Sequence, residues 1–114
     1  GWPAPIHQLL VQNHVSIVFH GHDHIFAKQD LDGIVYQEVP QPGNPAKGDP
    51  NTVPRTAAEY GYLSGKLLGA PGYMRITVAP DKVTADLVRS YLPEQESAGR
   101  KNHETAFSYT IPAH

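Results

Sequence analysis

The residues of this chain best equipped for chemistry are histidines. Seven are present, and three fall within five positions of one another, in Phe19-His20-Gly21-His22-Asp23-His24. Imidazole suits Zn, Fe, Ni and Cu, while Mn is reached more often through mixed oxygen and nitrogen donors. A single histidine beside a strand is ordinarily a hydrogen-bonded structural residue. Three so close together, directly after an apolar run and a glycine, favour metal binding. The spacing leaves two arrangements open: both rings of His22 and His24 on one ion, or one ring on each ion of a close pair. A pH-responsive cluster is a further reading, because neighbouring histidines repel when protonated. The chain has no cysteine, so disulfides and thiolate ligands are excluded.

These histidines need a scaffold, and the preceding residues suggest one. Ile6, Leu9 and Leu10 share one face of a short helix that Pro5 would open and Asn13 would stop. Val15-Ser16-Ile17-Val18-Phe19 follows, a nearly unbroken apolar run of the kind that forms a strand covered on both faces. Residues 1–24 thus read as the last helix–strand unit of a layered sheet. At the carboxyl end of such a strand, ligands bind in the crevice outside the sheet.

The rest is β-flavoured. Residues 25–39 form a hairpin about Asp32-Gly33, a strong turn signal. Residues 40–72 hold 12 Pro or Gly but only four Leu, Ile or Val, which reads as a long loop, a lid or an insertion. Within it, Ala57 to Leu68 has room for a turn or two of helix between glycines. Residues 73–114 supply the closing strands: Tyr73 to Val78 and Val83 to Leu92 as a hairpin, then a strand marked by Phe107, Tyr109 and Ile111. In the first of these Met74, Ile76 and Val78 alternate onto one face. The fold class expected is α/β, as a β-rich segment.

Length and composition bound the function. One hundred and fourteen residues are enough for one domain, and Leu, Ile, Val and Phe number 26, a thin core. A net charge of -2 argues against nucleic acid or an anionic membrane as the main partner. No apolar run approaches the length of a membrane span.

The stretch Val15 to His24 resembles the last conserved block of the calcineurin-like metallophosphoesterases, which include the purple acid phosphatases. That block is a buried strand ending in Gly-His-x-His, matched here by Gly21, His22, Asp23 and His24. The resemblance extends loosely through the hairpin Asp32 to Val39 and through Gly72 to Val78. It implies the C-terminal part of a two-sheet α/β sandwich with two metal ions (Fe, Zn or Mn) at the sheet edge. His22 and His24 would be ligands, one to each ion. Two ions about 3.5–4 Å apart can activate a bridging water and clamp a phosphate for in-line attack. The implied activity is hydrolysis of phosphomonoesters or phosphodiesters by a metal-activated hydroxide. Asp23 would support the ligands from behind, and His20 would lie near the site or be hydrogen-bonded in the core. No residue is assigned a directly catalytic role.

None of the family's earlier blocks, of the types Asp-x-His, Gly-Asp-x-x and Gly-Asn-His-Asp/Glu, stands upstream of Gly21. The expectation is therefore a segment of a longer enzyme, inactive alone, whose partners are a phosphoester and the upstream part of the same domain. Self-association through an exposed strand edge is also expected. The family resemblance leans toward a secreted or periplasmic parent. The alternative is a non-catalytic β-rich binding or assembly module with a structural histidine metal site. A cupin-like barrel expects a Glu four or five residues after the second histidine, where this chain has Lys28 and Gln29.

Other residues have plainer readings. Lys28 and Arg75 are candidate phosphate contacts, though isolated strand cations are usually solvated. Tyr36, Tyr73 and Tyr91 suit packing more than a substrate pocket. Glu94, Glu96, Arg100 and Lys101 read as a solvated connection. His7, His14, His103 and His114 carry no spacing argument and are left structural or exposed.

Overall fold

Asp32 and Gly33 both adopt positive φ, 51° and 80°, the geometry of the tight hairpin turn that an Asp-Gly pair favours. Around them β2 (Phe26–Leu31) and β3 (Ile34–Glu38) pair antiparallel, the centre of the first sheet. The structure, a computed structural model, describes residues 3–43 and 49–114. Gly1, Trp2 and residues 44–48 of the expected loop lie outside the described residues.

The helix α1 (Ile6–Gln12) ends at Asn13, whose backbone N–H donates to the Leu9 carbonyl, while the next N–H, of His14, donates to that of Val11. Strand β1 (Ile17–His20) then pairs parallel with β3, and β4 (Lys66–Leu68) pairs antiparallel with β2, giving the order β1-β3-β2-β4. A second sheet, order β5-β6-β7, is antiparallel throughout, from β5 (Tyr73–Val78), β6 (Lys82–Val88) and β7 (Thr105–Pro112). A single turn of 3-10 helix at Pro93–Gln95 connects β6 to β7. The chain is a β-rich α/β arrangement of two sheets and one short α-helix among the described residues.

The sheets share a core. Phe26, Leu68 and Leu87 are sealed between them, with Met74, Ala106, Phe107 and Tyr109 packed around, and the rings of Phe26 and Phe107 meet edge to face at 5.7 Å. On the outer face of the first sheet, Ile25 and Ala27 pack with Ala57, Tyr62 and Leu67. The second cluster is built by the 54–62 segment folding back over β2. Gly65 lets the chain pass there, for at φ 96° a Cβ would collide with the Lys28 carbonyl.

A buried cation ties the loop down. Arg89, 1% exposed, donates to the carbonyls of Gly69 (2.6 Å), Pro71 (3.0 Å) and Pro50 (2.9 Å) and to Asn51 Oδ1 (2.8 Å). Four oxygen dipoles solvate the guanidinium in place of water, and burial holds its pKa below the ordinary arginine value.

Four expectations change. Val15 to Phe19 is not covered on both faces: the strand begins at Ile17, none of its residues is buried, and Phe19 is 44% exposed. It is the terminal strand of its sheet, and α1 buries no residue of its own. Residues 40–72 are not all loop, since β4 lies within them; three residues are too few to leave a periodic signal. Ala57 to Gly61 form hydrogen-bonded turns rather than helix, and Gly61 at φ 86° leaves them. Of the face Met74-Ile76-Val78, only Met74 reaches the core, while Ile76 and Val78 are exposed along edge strand β5.

Candidate functional site

The parallel register of β1 and β3 sets His20 opposite Glu38. Glu38 is fully buried, which is costly for a carboxylate unless its oxygens are satisfied. Its Oε2 lies 2.6 Å from His20 Nδ1, close but poorly aligned for a hydrogen bond, and meets no other donor among the described residues. Its Oε1 accepts the backbone N–H of Asp23 at 2.9 Å. One carboxylate therefore bonds the Asp23 amide and lies against the His20 ring, and Val39 adds a backbone bond to the His20 carbonyl at 2.8 Å.

Between and just beyond those contacts the backbone leaves the ordinary regions. His22 has φ 130°, a value rare for a residue with a side chain, and His24 has φ 63°, in the left-handed region that His14 and His103 also adopt. The result is that both histidines stand out from the sheet. His22 has 93% of its side chain exposed, and His24 is exposed as well.

Asp23 points the other way. Its Oδ1 lies 3.1 Å from His22 Nδ1, and its Oδ2 accepts the Tyr62 hydroxyl at 2.9 Å. Those two bonds, His22 first, hold its carboxyl below the usual carboxylate range. Tyr62 is raised well above an ordinary phenol, mainly by burial and then by its bond to Asp23. With Nδ1–H of His22 on the carboxylate, Nε2 is the nitrogen left to face a ligand. Carboxylate-oriented imidazole is the usual arrangement behind a metal-binding histidine.

The other singled-out residues are engaged elsewhere. Lys28 pairs with Asp30 at 2.6 Å and sits 5.0 Å over the Tyr109 ring. Arg75 forks onto Asp86 Oδ2 through Nε (3.1 Å) and Nη2 (2.9 Å). Tyr91 is buried and Tyr73 lies exposed on β5. Tyr36 is bonded to His7 Nδ1 at 2.6 Å, so His7 is not idle. Among the described residues no three His, Asp or Glu side chains converge to form a metal cage.

Glu38 and Tyr62 are the residues that reading the sequence missed. A charged residue closing β3 was a signal for the first. Tyr62 lies 39 residues from its partner, and nothing local announces it. Fold and site together describe a β-rich α/β domain with a braced, outward-facing histidine turn. No family model matches the chain, and no curated protein matches it.

Proposed function

We propose that the chain is the C-terminal part of a dimetal phosphoesterase domain of the two-sheet sandwich type. In this reading it acts in the hydrolysis of phosphomonoesters or phosphodiesters. The observation that carries the proposal is the turn itself. Two exposed histidines stand in positive-φ backbone just past the carboxyl end of β1, gripped by a buried glutamate. Backbone strain of this kind persists where the surroundings over-determine it, and it clusters at functional sites.

The donor set suits part of a two-ion centre. His22 through Nε2, and His24 beside it, would each hold one ion, with further ligands from the upstream part of the domain. When bound, such a pair neutralises phosphate charge and supplies a nucleophile from water. The chain's own residues do the positioning. Glu38 holds the turn to β3, Asp23 fixes the His22 ring, and Tyr62 holds the other oxygen of Asp23.

Titration calorimetry with Zn²⁺ and Mn²⁺ tests the proposal. The chain should bind weakly, because two imidazoles give a fraction of a full site's coordination energy. His22→Ala and His24→Ala should each weaken binding about tenfold or more, on the order of the loss of one ligand. Unchanged binding in both variants would overturn the assignment. Robust turnover of p-nitrophenyl phosphate by the isolated chain would contradict its being an incomplete site. Loss of self-association in both variants, with metal affinity intact, would point instead to an assembly module.

A further inference from the structure

A second group of side chains lies apart from the histidine turn. His7, on the first turn of α1, reaches across to the β2–β3 hairpin. Its Nδ1 is 2.6 Å from the Tyr36 hydroxyl and its Nε2 is 2.8 Å from Asp32 Oδ2. Helix and hairpin are far apart in sequence, and the imidazole bridges them through both of its nitrogens. With the Nε2 proton on the Asp32 carboxylate, Nδ1 is left as the acceptor of the Tyr36 O–H. That order — nucleophile, base, then a carboxylate that orients the base — is the arrangement that activates hydroxyl nucleophiles.

The relay opens on a groove of about 520 Å³, lined by His7, His20, Gln29, Asp30, Leu31, Tyr36 and Ser64. The lining is mainly apolar surface, and its carboxylate, Asp30, is already paired with Lys28. No lysine or arginine lines the groove among the described residues, so no permanent positive charge there draws an anionic phosphoryl donor. A neutral electrophile fits better. Neither His22 nor His24 borders it.

We propose that this groove is a covalent modification site at which Tyr36 accepts an acyl group from a small neutral acyl donor. Tyr36 Oη attacks the acyl carbon, forming an O–C bond as the bond to the leaving group breaks. The phenol proton passes to His7 Nδ1 and from there to the departing group. Asp32 is a positioning residue, holding His7 in the tautomer that can receive that proton. No oxidant, metal or second substrate is needed, and the site is independent of the metal reading.

N-acetylimidazole, a neutral acyl donor, is the probe, with acetylated tyrosines mapped by peptide mass spectrometry on the full chain. Tyr60 is the internal control, since it is 51% exposed and in none of these bonds. Tyr36, although half-buried, should be acetylated about tenfold faster than Tyr60, a modest share of what a positioned base supplies. His7→Gln should bring the ratio down to one or below, and added imidazole should restore part of it in His7→Ala. Asp32→Asn keeps a residue tolerant of the left-handed turn and should lower the ratio about threefold. Because each result is a ratio within one molecule, partial unfolding that exposes every tyrosine would not imitate it. Tyr36 reacting no faster than Tyr60, or keeping its advantage in His7→Gln, would overturn the proposal.

Discussion

The space between the two sheets and the margin formed by α1 and β1 are built on opposite terms. Between the sheets Phe26 and Leu87 are fully excluded from solvent, and the polar groups nearby are satisfied: Gln37 accepts the Tyr109 hydroxyl at 2.8 Å and donates to two carbonyls. At the margin neither α1 nor β1 buries a single residue, Ile6 is 60% exposed, and the contacts are polar. The margin nevertheless carries the side chains with chemical potential, His7 and the run from His20 to His24. Stability and reactivity are divided, a common division because strained and solvent-facing groups persist only on a scaffold stabilised elsewhere. The flatness of the molecule fits this. The described residues span 50 × 36 × 21 Å, and the radius of gyration of 15.4 Å exceeds the roughly 13 Å of a compact chain this long.

Substitutions can break that division or sharpen it. The largest effect should come from Phe26→Ala, which empties the space facing Phe107 and Leu87. A loss of about 3–5 kcal/mol is expected in urea unfolding, enough to abolish cooperative folding in a chain with so thin a core. Arg89→Met should follow, at about 2–4 kcal/mol, because four oxygens lose their donor in a buried place. If either variant melts like the parent, the core is not where stability resides.

A smaller effect is pH-dependent. Asp86 is held below the ordinary value of 3.8, first by the Ser108 hydroxyl and then by Arg75. Its stabilising contribution is complete above that value and fades as pH falls below about 4, once the folded carboxyl takes up its proton. Asp86→Asn should therefore lower stability at pH 7 and flatten the acid limb of a melting-temperature profile. A profile parallel to the parent's would show that the charge on Asp86, with its Ser108 and Arg75 bonds, contributes nothing.

The smallest effects belong to the margins. Ile6→Ala on α1 and Val78→Thr on the β5 edge should each change stability by less than about 0.5 kcal/mol. A large loss from Ile6→Ala would mean that α1 is covered in solution, removing the contrast between the regions.

Much of the framework was legible in the residues. Asp32-Gly33 announced a hairpin because few pairs tolerate two positive φ angles in succession. Alternation through Phe107, Tyr109 and Ile111 marked β7, and Asn13 ended the helix where expected. The short β4 was not legible, since Lys66–Leu68 becomes a strand only through pairing with β2. Exposure was misread for the same kind of reason. An apolar run such as Val15 to Phe19 reports what a strand would bury, not what lies against it.

By itself, then, the sequence determined the local geometry: the turn, the strand segments, and two histidines separated by one residue beyond a glycine. These follow from backbone sterics and short-range periodicity. Only the tertiary structure decided which partners those histidines would have. Glu38 meets His20 through parallel pairing, Tyr62 meets Asp23 through a folded-back loop, and His7 meets Tyr36 and Asp32 through the docking of α1. Such contacts join residues that no local rule relates, and they form only when the whole chain has found its packing.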